Sequence, residues 1–139
     1  MTDPRPSLYP VLQYRDAPAA IAWLEKAFGF RTAVSYPNET GGIAHAELRF
    51  GNGMVMLGSR QEDGPFALRP PAEAKVTTQS IYVATDGIDD LYARAQAAGA
   101  EVVMTIRNTD YGSRDFSVRD PEGHLWSFGS YRPDFTAAG

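Results

Sequence analysis

Arg114-Asp115-Phe116-Ser117-Val118-Arg119-Asp120-Pro121-Glu122-Gly123-His124-Leu125-Trp126-Ser127-Phe128 is the stretch that decides the fold. Polar and apolar residues alternate from Arg114 to Arg119 and again through Phe128, the period of strands with one covered face. Asp120-Pro121-Glu122-Gly123 between them is turn chemistry, because proline presets its backbone angle and glycine accepts a left-handed one. The stretch reads as a hairpin. A second copy of the plan stands about 70 residues upstream. There Ile43 to Phe50 alternates, Gly51-Asn52-Gly53 turns, and Met54-Val55-Met56-Leu57 resumes.

The match extends upstream of both hairpins. Leu8 to Tyr14 is a short apolar strand, followed by a helix from about Ala17 to Ala27. Ile21, Leu24 and Phe28 mark one face of that helix, and Gly29 stops it. In the second half Ser80 to Ala84 is a strand, and Asp86 is suited to cap a helix. Ile88, Leu91, Ala95 and Ala98 form the helix face, and Gly99 ends it. One further strand candidate lies before each hairpin, Phe30 to Tyr36 and Glu101 to Ile106. The reading predicts an α+β fold: two βαβββ modules forming a curved mixed sheet with helices on the outer face. The modules are 1–60 and 79–139 within one structural domain. The connector, 61–78, contains Gly64, Pro65, Pro70 and Pro71 and reads as loop.

Composition narrows the function. The 139 residues are 43% hydrophobic and 22% charged, enough to bury a core without staples. With Cys 0, neither a disulfide nor a thiolate metal cage is possible. The net charge of -4 argues against general nucleic-acid binding, which needs a basic face to displace counterions. No apolar run approaches the ~20 residues of a membrane span. Met1-Thr2-Asp3-Pro4-Arg5-Pro6 lacks the pattern of an export signal, so a cytoplasmic protein is expected. Gly-rich phosphate loops, Gly-x-Ser-x-Gly elbows and paired-histidine zinc helices are absent from the sequence.

The alternation sorts the strand residues into two sets. Ala46, Leu48, Phe50, Phe116, Val118, Trp126 and Phe128 form the apolar set, expected under the helices against Ile21, Leu24, Phe28, Leu91 and Ala95. Trp126 is assigned to the core. The opposite set faces a cleft, and its members are Tyr9, Val11, Gln13, His45, Glu47, Arg49, Met56, Ser80, Tyr82, Asp115, Ser117 and Ser127. Aromatic, thioether and hydroxyl groups with a few charges suit an amphipathic organic molecule. The candidate ligand-binding residues are Tyr9, Gln13, His45, Glu47, Met56, Ser80, Tyr82, Tyr111, Asp115 and Ser127. Tyr111, beside Gly112, fits either a lid over the cleft or a hairpin turn. Arg114 and Asp115 read as a local ion pair or as surface charges.

These features together resemble the vicinal oxygen chelate superfamily, the glyoxalase/bleomycin-resistance/dioxygenase group. The resemblance runs from Tyr9 to Tyr131. It is carried by Tyr14-Arg15-Asp16, Ala22-Trp23-Leu24, Phe28-Gly29-Phe30, His45 to Gly53, and Arg119 to Trp126. Enzymes of the group hold one divalent metal with His and Glu or Gln, two from each half, as a Lewis acid. The matching positions here are Tyr9, Ser80, Ser127 and Met56 or Leu57, none a usual ligand. The expectation is therefore no inherited metal and no cofactor. The resemblance implies a protein like the bleomycin-resistance branch, a homodimer that binds a small organic molecule or drug without transforming it. Its partners would be that molecule and a second copy, with no nucleic acid and no membrane.

Two other readings stay open. One is a lyase, isomerase or dioxygenase with a relocated metal at His45, Glu47 and Asp115, or metal-free acid–base work by His45 with Glu47. The other is a structural or regulatory module whose cleft is filled by its own side chains or by a partner.

Overall fold

The alternating stretches pair as strands, and the pairing follows the repeat. The computed structural model describes residues 3–136, so Met1 and Thr2 of the stretch read against an export signal lie outside the described residues. In chain order the elements are β1 (Val11–Tyr14), α1 (Ala17–Phe28), β2 (Arg31–Pro37), β3 (Ile43–Phe50), β4 (Gly53–Ser59) and α2 (Pro71–Ala74). They continue with β5 (Ser80–Ala84), α3 (Ile88–Ala97), β6 (Glu101–Asn108), β7 (Arg114–Arg119) and β8 (Leu125–Gly129). The first module forms a four-stranded sheet in the order β1-β4-β3-β2, and the second repeats it as β5-β8-β7-β6. In each, the first pair is parallel and the rest antiparallel, which makes both sheets mixed. The α+β duplication is thus as read, with strand pairing confined to each module and β1, β2, β5 and β6 as the edge strands.

Local chemistry sets the helix ends. The Asp16 carboxylate accepts from the Ala19 N–H at 3.1 Å and caps α1, and Gly29 ends it at φ 84. For α3 the expected cap was Asp86, but Gly87 holds that position at φ 65, with no side-chain bond. The left-handed turn at Gly87 starts the helix one residue later, and Asp89 and Asp90 place negative charge in its first turn. The connector also departs from its reading as loop, since Pro71–Ala74 is a short helix. Proline is compatible with a first helical position because the N–H it lacks would be unpaired there.

One face of each sheet is spent on a common core. Ala46, Leu48, Val55 and Leu57 from the first sheet join Phe116, Val118, Trp126 and Phe128 from the second. Leu24 and Phe28 of α1 and Leu91 and Ala95 of α3 complete the cluster. The Phe28 ring lies 5.4 Å from that of Trp126 and 4.6 Å from that of Phe128, so the first module's helix packs on the second module's sheet. Each fully buried Leu or Phe contributes about 1.5–3 kcal/mol. Trp126 is fully buried, as its assignment to the core required.

A polar knot joins the modules at the decisive turn. Asp120, buried, accepts from the Tyr14 hydroxyl at 2.6 Å and from Trp126 Nε1 at 3.1 Å. Its other oxygen accepts from the N–H groups of Glu122 and His124. Glu122 reaches back to accept from the N–H groups of Arg15 (2.6 Å) and Asp16 (2.9 Å), where β1 hands over to α1. The opposite sheet faces remain open.

Candidate functional site

Strand register assembles the open faces row by row. On the first sheet Arg49 stands beside Met54, and Glu47 beside Met56, which neighbours Val11 across the parallel pair. On the second, Arg119 stands beside Leu125, and Ser117 beside Ser127, which neighbours Tyr82. The duplication therefore equates Arg49 with Arg119, Glu47 with Ser117, Met56 with Ser127 and Val11 with Tyr82. One step along, His45 corresponds to Asp115.

The first face carries a hollow of about 440 Å³, lined by Tyr9, Glu47, Arg49, Met54 and Met56. Arg5 and Pro6 close it on one side. His45 Nε2 lies 2.8 Å from Glu47 Oε2, and the Tyr36 ring stacks on the imidazole at 6.5 Å. Gln13 does not join this hollow. It lines another, beside Leu68, Val76 and His124 at the connector.

The second face is organised around Asp115. Its carboxylate accepts from the Ser113 hydroxyl and, at 3.2 Å, from the Tyr111 hydroxyl. Ser113 is buried and accepts from the Tyr131 N–H at 3.0 Å. The Tyr82 hydroxyl donates to the Tyr131 carbonyl at 2.7 Å, and burial, with the nearby Asp115 charge, pushes its phenol up. A Cβ at Gly129 would fall on the Asp115 carboxylate and the Tyr82 hydroxyl, so a larger residue there must displace them. The hydroxyls of Ser117 and Ser127 bond each other at 2.7 Å, while Ser80 is exposed at the edge. Tyr111 sits in the turn between β6 and β7, its ring edge-on to Tyr131. Arg114 pairs with Asp89 of α3 at 2.8 Å and not with Asp115, because neighbouring strand residues point to opposite faces.

The chain thus brings Tyr9, Glu47 and Met56 together, with His45 held through Glu47. It separately gathers Tyr82, Tyr111 and Asp115, with Ser127 on the same sheet. Among the described residues, no hydrogen bond, ion pair or ring contact joins the two groups. Arg5, Met54, Ser113, Tyr131 and Gly129 were missed as candidates. Met54 was legible, being two residues before Met56 in the same alternation. Ser113 and Tyr131 gave no pattern, since both act across a hairpin.

Two βαβββ modules, each with one sheet face given to a shared core and the other left open, define a duplicated α+β protein. The chain belongs to the Glyoxalase/Bleomycin resistance protein/Dioxygenase superfamily, whose family model matches residues 8–128. It is 34% identical over 126 residues to an uncharacterized protein of Mycobacterium tuberculosis, covering 89% of this chain and 74% of that one. The crystal structure of TioX from Micromonospora sp. ML1 is 32% identical, covering 91% of this chain and 100% of TioX, with a TM-score of 0.69. FosX, a fosfomycin resistance protein of Listeria monocytogenes solved with Mn(II) and sulfate, shares the fold at 13% identity. That match covers 91% of this chain and 93% of FosX, with a TM-score of 0.63.

The donor chemistry does not fit the divalent ion of the superfamily's enzymes. Tyr9, Ser80 and Ser127 offer hydroxyls and Met56 a thioether, where a hard ion takes imidazole or carboxylate. Ser127 is already bonded to Ser117. For the relocated set, His45 and Glu47 bond each other on one sheet, while Asp115 is held by Ser113 and Tyr111 on the other. Among the described residues no three His, Asp or Glu side chains group closely enough to hold a metal.

Proposed function

We propose that the protein binds a small organic molecule on its open sheet faces, without the inherited metal site. The observation that carries this is the hollow of about 440 Å³ on the first face. Its Tyr9, Met54 and Met56 side chains are left outside the core, where their apolar surface is available to a ligand. Thioethers adapt to a ligand's shape and an aromatic ring adds area at little entropic cost, while Glu47 and His45 orient polar groups. The volume lies within the range of small-molecule sites.

A second copy supplies what one chain does not bring together. The candidate residues fall on two faces, and Val11 and Tyr36 on the first and Tyr82 and Met104 on the second are all exposed. A homodimer that sets the first face of one copy opposite the second face of the other closes a cleft around the ligand. The mixed lining of aromatic, thioether and a few charged groups supports binding rather than chemistry.

Thermal-shift screening of aromatic drugs and metabolites against chelator-treated protein tests the reading. A compound at 100 times its Kd is expected to stabilise the protein by about 2.7 kcal/mol, and to do so equally with and without chelator. Hits that vanish on chelation would point instead to a metal-dependent site.

A further inference from the structure

The duplication supplies an internal comparison for one side chain. Arg49 and Arg119 occupy equivalent positions, each on the third strand of its module and beside the fourth. Arg119 is used by the protein, because its Nη1 donates to Thr77 Oγ1 at 2.9 Å and to the Gly123 carbonyl at 3.1 Å. Arg49 is exposed at the hollow of the first face, and among the described residues nothing accepts from it. The other guanidinium at this hollow, Arg5, is already matched by Asp3 at 2.5 Å.

Register gives the hollow a polarity. On β3, Arg49 and Glu47 stand two residues apart on one face, and on β4 Met54 lies beside the first and Met56 beside the second. The result is a charged rail and a thioether rail on adjacent strands, which lie about 4.8 Å apart. Glu47 is engaged with His45 at one end, and the free guanidinium stands at the other. We infer that the first-face hollow selects a flat apolar molecule bearing an oxyanion, a carboxylate or sulfonate, with Met54 and Met56 under its body and Arg49 on its anionic group. A guanidinium fork matches such an oxyanion bidentately, which a lysine does not. This rests on the small-molecule reading above and adds the charge of the ligand to it.

Two fluorescent probes with the same aromatic body separate the claims. 8-Anilino-1-naphthalenesulfonate carries the anion and N-phenyl-1-naphthylamine lacks it. Titrated into the full chain, the sulfonate is expected to bind the more tightly. Arg49→Gln is expected to raise its Kd about tenfold, the scale of one charge-assisted hydrogen bond, and to leave the neutral probe unchanged. Arg49→Lys is expected to fall between, and Met54→Ala with Met56→Ala to weaken both probes. If Arg49→Gln leaves the sulfonate's Kd unchanged while the methionine variants weaken both probes, the site stands and the oxyanion inference falls. If the methionine variants move neither probe, the small-molecule reading of this face falls with it. Unchanged thermal melts of the variants confirm that each is folded.

Discussion

Asp120 shows how much of this molecule rests on one carboxylate that pattern reading places only in a turn. It gathers the Tyr14 hydroxyl, the Trp126 indole and two backbone N–H groups from positions up to 106 residues apart in sequence. Burial is the largest reason the Tyr14 phenol is held well above its ordinary value of 10.0, and Asp120 adds to it. A group raised in the folded state stabilises below its unfolded value, and that stability is lost as pH climbs past it. Tyr14→Phe is therefore expected to cost about 1.5–3 kcal/mol at neutral pH, the worth of a hydrogen bond to a charged group. It should also remove part of the alkaline loss above pH ~10. Urea denaturation of both proteins at pH 7 and pH 10.5 checks this. Equal stability at pH 7 would show that the knot contributes nothing.

The helices and hairpins were the most legible part of the chain, because a strand or a helix face writes its period into neighbouring residues. Gly29 is a clear case, since a helix stop is local. At φ 84 an alanine is strained by about 1–2 kcal/mol, and its Cβ would meet Arg94 Nη1 at 3.0 Å. Arg94 donates to the Lys26 and Glu25 carbonyls at the end of α1, so displacing it also loosens the contact between modules. Gly29→Ala is expected to lower stability by about 1–2 kcal/mol in denaturant titration. Gly53→Ala, whose Cβ would meet nothing nearer than 3.5 Å, should stay within about 0.5 kcal/mol. Equal losses in the two variants would contradict this account of the helix stop. Features that depend on distant partners were not legible: the Arg114–Asp89 pair crosses 25 residues, and the α2 helix hides behind Pro70-Pro71. The candidate site was half legible for the same reason. Alternation identified Tyr9, Glu47 and Met56 as one face, but it does not encode that Gln13 turns toward the connector or that Tyr131 anchors Tyr82.

Helices and apolar sheet faces meet in one core, and the candidate residues are displayed on two open sheet faces. On the proposed reading a second copy covers these faces, and analytical ultracentrifugation is expected to find a dimer that a charge at Tyr82, such as Tyr82→Asp, weakens. A monomer at high micromolar concentration would remove the shared cleft and leave each face to act alone. On the proposed reading the first face holds the ligand. Two methionines report on it, because Met54 and Met56 line the hollow, and Met104 on the other sheet is the control. With ¹³C-methyl methionine labelling, titration of 8-anilino-1-naphthalenesulfonate is expected to shift the Met54 and Met56 methyl signals saturably and with one common Kd. Binding that leaves both signals in place would contradict the account.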